Sequence, residues 1–161
     1  MGVAGCGKSS LGREVAAALG LPLIEGDDFH LPASVAKMKA GVPLEDADRI
    51  GWLDELGRQL AAHPQGAVLT CSALRKAYRE RLRAASAGLR FAHLALSRDE
   101  SVRRVAARAA AHFFTPSLVD SQFAALESPA GEPGVLTLDA TLPLPDLTVL
   151  VLDWLKGSPH A

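Results

Sequence analysis

The apolar positions of the chain switch between two spacings. In residues 10–20 they recur at three- and four-residue steps (Leu11, Val15, Ala18, Leu19), which predicts an amphipathic helix closed by Gly20. Leu21-Pro22-Leu23-Ile24-Glu25 is a short apolar run ending in an acid, and Ala67-Val68-Leu69-Thr70-Cys71 is an unbroken one. Such runs predict strands, the second covered on both faces. Residues 90–96 and 134–138 read as two more strands. Helical spacing returns in residues 34–39, 47–62, 74–87, 99–109 and 144–156. A further helix opens at Thr115-Pro116-Ser117, with proline early in its first turn. Strands alternating with helices predict a parallel α/β sheet with right-handed crossovers. Ligands then bind beyond the carboxyl ends of the strands, where Glu25-Gly26-Asp27-Asp28, Cys71-Ser72 and Ser97-Arg98 stand.

The first helix is preceded by Gly2-Val3-Ala4-Gly5-Cys6-Gly7-Lys8-Ser9, a complete G-x-x-x-x-G-K-[ST] phosphate loop. Gly2, Gly5 and Gly7 let backbone N–H groups, that of Cys6 included, turn inward around phosphate oxygens. Lys8 reaches the β- and γ-phosphates, the Ser9 hydroxyl is placed for Mg²⁺, and the helix running on through Ser10 points its positive end at the same anion. Cys6, at a helix N-terminus inside an anion-binding loop, is either a small filler or a thiol whose alkylation nucleotide would prevent. A loop of this kind joins a buried strand to a helix. Only Met1 precedes Gly2, so the first strand is expected to be missing from the chain, with Met1 as its last residue.

At 161 residues the chain is read as one domain, 1–161, with an ordinary globular composition (48% apolar, 22% charged). A net charge of -1 gives no field that would draw it to nucleic acid or to an anionic membrane. No apolar run is long enough to span a bilayer, no signal peptide is visible, and two cysteines form no metal or disulfide pattern, so a cytoplasmic location is expected. Arginines cluster at 75–83 and 98–108, most of them read as solvated helix faces.

Several polar groups carry candidate chemistry. Asp27 or Asp28 after the second strand of the full fold could orient an attacking hydroxyl and accept its proton, or simply form a turn. His30 shares their loop. Asp46 is placed as the N-cap of the next helix. Arg49 lies in that helix's first turn, where the macrodipole disfavours a cation, and could hold a carboxylate in a fork. Trp52 beside it is read as core. Arg104 and Arg108 share one helical face and could neutralise a moving phosphoryl group.

Taken together the chain resembles the small P-loop gluconokinases. The resemblance is carried by the phosphate loop, Glu25-Gly26-Asp27-Asp28-Phe29-His30, Lys37-Met38, Gly41-Val42-Pro43-Leu44-Glu45-Asp46-Ala47-Asp48-Arg49 with Trp52-Leu53, Cys71-Ser72-Ala73-Leu74, Tyr78-Arg79, His112-Phe113-Phe114, and Ser121-Gln122-Phe123 with Leu126-Glu127. It implies a P-loop NTPase of the nucleoside-monophosphate-kinase type, a five-stranded parallel sheet, and a lid at about 104–120. It also implies a homodimer that phosphorylates the 6-hydroxyl of D-gluconate with ATP and Mg²⁺. Lys8, Asp27 and Arg104 would then be catalytic. Gly2, Gly5, Cys6, Gly7, Lys8, Ser9, Ser10, Arg104 and Arg108 would bind nucleotide. Asp27, His30, Arg49, Arg75, Lys76 and His112 would hold the sugar acid. Ser9 would hold Mg²⁺, with Glu25 or Asp27 reaching it through water.

The chain departs from that pattern in places. Glu25 stands where the family often has Asp, and Arg75-Lys76 where Lys-Arg is commoner. Arg108-Ala109-Ala110-Ala111-His112 replaces a shorter Arg-x-Gly-His. A related small-metabolite kinase acting on shikimate or a nucleoside monophosphate, and a non-catalytic ATP-binding module, are the competing readings.

Overall fold

The computed structural model describes residues 1–107 and 116–157. The elements follow in the order α1 Lys8–Leu19, β1 Leu23–Glu25, a 3₁₀ turn Gly26–Phe29, α2 Pro32–Lys39, α3 Asp46–Ala61, β2 Val68–Thr70, α4 Lys76–Ala85, β3 Phe91–Ala95, α5 Arg98–Ala107, α6 Pro116–Ala125, β4 Val135–Asp139 and α7 Leu144–Gly157. The alternation that the apolar spacing predicts is present. The expected Asp46 cap is not. Glu45 is the N-cap, its N–H bonded to Asp48 Oδ2 at 2.9 Å, because the side chain of Asp46 is drawn across to Arg75 and Tyr78 instead. Helix α4 starts at Lys76 rather than at Leu74, since Ala73 takes a left-handed φ of 45° and interrupts the helical path.

The strands pair in parallel, β1 with β2 (Ile24 opposite Leu69) and β3 with β4 (His93 opposite Thr137). Between β2 and β3 the described residues place no strand; Met1 and Gly2 bridge the pairs. The Met1 ammonium donates to Ala92 O at 2.7 Å, Leu94 N–H donates to Met1 O at 3.0 Å, and Gly2 N–H donates to Ser72 O at 3.2 Å. That is the bonding of one residue in a parallel strand. Behind it lies a cavity of about 510 Å³ whose walls include Leu11 and Val15 of α1, Val68, Ala92, and Val151 and Leu155 of α7.

Apolar cores form on both faces. Val3, Leu11, Val15, Leu94, Leu138, Leu147 and Val151 pack on the α1/α7 side. Ile24, Trp52, Leu53, Leu56, Leu82 and Phe91 pack on the α3/α4 side. None of the described helices is long and apolar enough to cross a membrane.

His93 is buried in the middle of β3 at 6% exposure, its Nδ1 3.5 Å from Thr137 Oγ1. Burial, then the Met1 ammonium and Arg79, lower its pKa to about 4. The unfolded ring titrates near 6.5, so between these values the unfolded chain binds a proton that the folded one does not. Stability is therefore full above pH 6.5 and is lost as pH falls toward 4, by on the order of 2–3 kcal/mol. Urea unfolding at pH 7.5 and 4.5 checks this. His93→Gln should flatten the slope, leaving the shares of the buried Met1 amine, whose pKa burial lowers to about 6, and of His30, whose pKa burial also lowers.

Candidate active site

The phosphate loop spans Gly2 to Gly7 and feeds directly into α1. Gly7, the helix N-cap, has φ 96°, a left-handed conformation that glycine adopts without the steric cost of a Cβ. Other elements hold the loop from outside. Ala4 N–H donates to Gln122 Oε1 at 2.6 Å and Ser101 Oγ donates to Ala4 O at 2.7 Å. Arg104 Nη1 donates to Ala140 O at 3.1 Å and reaches Gly5 O at 3.5 Å, while its Nε is held by Glu100 at 2.6 Å. Hydrogen bonds from Arg103 and Arg104 lower the pKa of Glu100 to about 2. Lys8 Nζ lies 3.1 Å from Val3 O, folded back across the loop.

Cys6 is 1% exposed and packs with Val3 and Leu11. Of the two readings of Cys6, its burial favours the small filler, its side chain turned into the core while its backbone stays in the loop.

Strand ends supply the acids. Ser9 Oγ donates to Glu25 Oε2 at 3.0 Å, and Thr70 Oγ1 donates to the same oxygen at 2.5 Å. Gly26 follows, tight against β2: a Cβ there would lie 2.3 Å from Thr70 O. The 3₁₀ turn then presents Asp27, whose side chain is 83% exposed, and His30, whose side chain is 5% exposed. His30 Nε2 is 3.8 Å from Asp27 Oδ1, and its buried Nδ1 has no hydrogen-bond partner among the described residues. Desolvation lowers its pKa, opposed by Asp27 and assisted by Arg49, so the ring is neutral at pH 7.

A cavity of about 500 Å³ brings Gly5, Gly7, Lys8, Ser9, Ser10, Glu25, Asp27, Asp28, His30 and Arg49 together. Val105, Leu118, Ser121 and Gln122 line it from the α5 and α6 side. Arg49 is in none of the ion pairs found among the described residues; its guanidinium lies 6.0 Å over the Tyr78 ring. Arg75 and Lys76 are not brought to the cavity. Arg75 pairs with Asp46 at 2.9 Å, and Lys76 turns its ammonium toward Glu80 at 3.6 Å. Arg108 and His112 lie outside the described residues.

Thr70, Ser101, Gln122 and Glu100 are parts of the site that sequence reasoning gives no role. Only Gln122 left a signal, inside the Ser121-Gln122-Phe123 string. Among the described residues no three His, Cys, Asp or Glu side chains converge as a metal cage. A magnesium site needs none: Mg²⁺ is usually held by one or two protein oxygens together with waters and substrate phosphates. The hard oxygens of Ser9 and Glu25, side by side at the loop, fit that requirement.

Residues 1–129 match the family model described as an AAA domain. The chain is 44% identical over 140 residues to a gluconokinase of Gluconobacter oxydans, covering 84% of this chain and 78% of the relative. It is 42% identical over 148 residues to a probable gluconokinase of Schizosaccharomyces pombe, covering 86% and 76%. The solved structure of a gluconokinase from Sinorhizobium meliloti superposes with a TM-score of 0.87 at 38% identity, over 99% of this chain and 95% of that one. Phosphate loop, strand-end acids and relatives converge, and the chain belongs to the gluconokinase family of P-loop kinases.

Proposed function

We propose that this chain transfers the γ-phosphoryl group of ATP to the 6-hydroxyl of D-gluconate. The observation that carries the reading is the single cavity that places Lys8 and Ser9 of the phosphate loop opposite Asp27, His30 and Arg49. Phosphoryl transfer depends on positioning and on stabilising charge. Loop amides and the Lys8 ammonium hold the β- and γ-phosphates, and Lys8 neutralises the charge that shifts toward the leaving oxygen. Ser9, with Glu25 or Asp27 through water, would hold Mg²⁺, which when bound would supply positive charge that stabilises the transferring group. Asp27 orients the sugar-acid hydroxyl and takes its proton as the bond to phosphorus forms. Arg49 takes the gluconate carboxylate and His30 a sugar hydroxyl, with the neutral ring able to accept or donate.

Arg104 does not line the cavity; it holds the loop through Gly5 O and is paired with Glu100, and a part in neutralising the phosphates would need it to leave that pair. In this reading Arg104 and Arg108 belong to a lid at about 104–120 that excludes water, and His112 completes the sugar side. Arg75 and Lys76 act at longer range, through the Asp46 end of α3. The reading takes residues 1–161 as one domain working in the cytoplasm as a homodimer, which sedimentation of the purified chain checks. Release of ADP, followed with Mg·ATP and a panel of gluconate, shikimate and nucleoside monophosphates, tests the function. Turnover with gluconate alone is expected; turnover with another member instead, or none, overturns it.

A further inference from the structure

A single indole grips both ends of the acidic turn. Trp52 lies on α3 and is 2% exposed. Its Nε1–H donates to the carbonyl of Gly26, the first residue of the turn, at 2.7 Å. Its ring stacks on His30, the first residue beyond the turn, with centroids 4.3 Å apart and planes at 13°. Asp27 stands between these two anchor points, and its carboxylate is mostly in the open. The direction of that carboxylate therefore follows the backbone of the turn, which Trp52 holds at both ends while Thr70 Oγ1 accepts the Gly26 N–H at 3.4 Å. The helix that carries the indole is itself tied down, by Lys37 to Asp48 at 2.7 Å and by Arg75 and Tyr78 to Asp46.

A tryptophan that only filled the core would need a partner for its N–H, but not one contact at each end of the acidic turn. Any large apolar side chain fills volume, whereas here the N–H satisfies a buried carbonyl and the ring face covers an imidazole whose buried Nδ1 has no partner among the described residues. We infer that Trp52 is a positioning residue for phosphoryl transfer, clamping Gly26 and His30 so that Asp27 is aimed at the acceptor hydroxyl. The inference rests on the kinase reading above. The charges that face His30 are Asp27 on its own turn and Arg49 on α3, so the clamp also determines how these three groups meet.

Two substitutions separate the contacts. Trp52→Phe keeps a stacking ring and loses the N–H; Trp52→Leu loses both. A displacement of about 1 Å at a reacting group can cost on the order of 100-fold in rate. We expect kcat about 10-fold lower for Trp52→Phe and about 100-fold lower for Trp52→Leu. The KM for nucleotide should stay unchanged, because Trp52 touches no part of the phosphate loop. Unchanged kcat in both variants, or a loss that merely follows the folded fraction seen by circular dichroism, overturns the inference.

A second measurement needs no turnover. The chain has two tryptophans, so Trp154→Phe leaves Trp52 as the sole indole. His30 covers one face of that ring, so Trp52 emission and its quenching by acrylamide at fixed pH should both change in His30→Ala. Unchanged emission and quenching overturn the stack. The expected change in a chain with no kinase activity counts against the functional reading and leaves the clamp standing.

Discussion

Lys8→Ala is expected to lower turnover about 100- to 1000-fold while leaving the fold intact, the range found when one preorganised charge or donor is removed from a developing oxyanion. The ammonium sits at the first residue of α1, and among the described residues it donates to Val3 O at 3.1 Å. Removing it frees one carbonyl at the edge of an open cavity, where water replaces the lost donor, so the stability cost should stay below about 1 kcal/mol. The loop keeps its shape because Gly7, Ser101 and Gln122 hold it, not Lys8. Lys8→Arg should not restore the rate, since a planar fork cannot stand in for a compact ammonium between two phosphates. Steady-state kinetics with Mg·ATP and gluconate, beside a thermal melt, checks both halves. Activity within threefold of the parent would defeat the assignment of the loop.

The largest effect on stability is expected at Arg79, far from the phosphates. Its side chain is fully buried, and every guanidinium donor is used. Nε meets both Glu132 oxygens at 3.1 Å, Nη1 donates to Ala73 O at 2.9 Å and Leu74 O at 3.0 Å, and Nη2 donates to Glu127 O at 3.2 Å and Glu132 Oε1 at 2.5 Å. Glu132 also takes Arg83 at 3.1 Å, and these pairings, Arg79 first, hold its pKa below the usual carboxylate range. One side chain thus fixes the strained turn at Ala73 and ties it to the loop after α6. Arg79→Ala leaves the Ala73 and Glu127 carbonyls and part of a carboxylate without donors, while Leu74 O keeps the Glu127 N–H, a loss of about 3–5 kcal/mol, or roughly 10 °C in melting temperature for a chain of this size. Arg79→Lys should recover little, because an ammonium cannot reach both the Ala73–Leu74 carbonyls and Glu132. Urea unfolding of the two variants checks the magnitude. A loss under about 1 kcal/mol would mean that the network contributes no more than an exposed pair.

Arg79 also shows where reading along the chain stops. From its neighbours it belongs to a run of arginines on a helix, which reads as a solvated face. Its burial depends on Glu132, 53 residues away, and nothing local to residue 79 records that partner. Asp46 fails in the same way: it has the local pattern of an N-cap, yet Arg75 and Tyr78, brought close by the packing of α3 on α4, draw its side chain away and leave the capping to Glu45 and Asp48. The same pull takes Arg75 out of the cavity in which the resemblance would place it. Thr70, Ser101 and Gln122 are ordinary residues in sequence. Thr70 becomes a support of Glu25, and Ser101 and Gln122 become supports of the loop, because β2, α5 and α6 pack beside the site.

The phosphate loop, the alternation of strands and helices, and the acids at strand ends were legible because each rests on interactions within a few residues: a glycine's φ, an apolar period, a carboxylate following a strand. What only the tertiary structure decided is which of the charged and aromatic side chains face the cavity and which serve the scaffold. Trp52 is the clearest instance. Its apolar period places it in the core, and only the fold, by laying α3 against the turn at Gly26–Phe29, sets its indole against a carbonyl and an imidazole. Such assignments depend on pairings across long stretches of chain, and those pairings are energetically specified only once the core has formed.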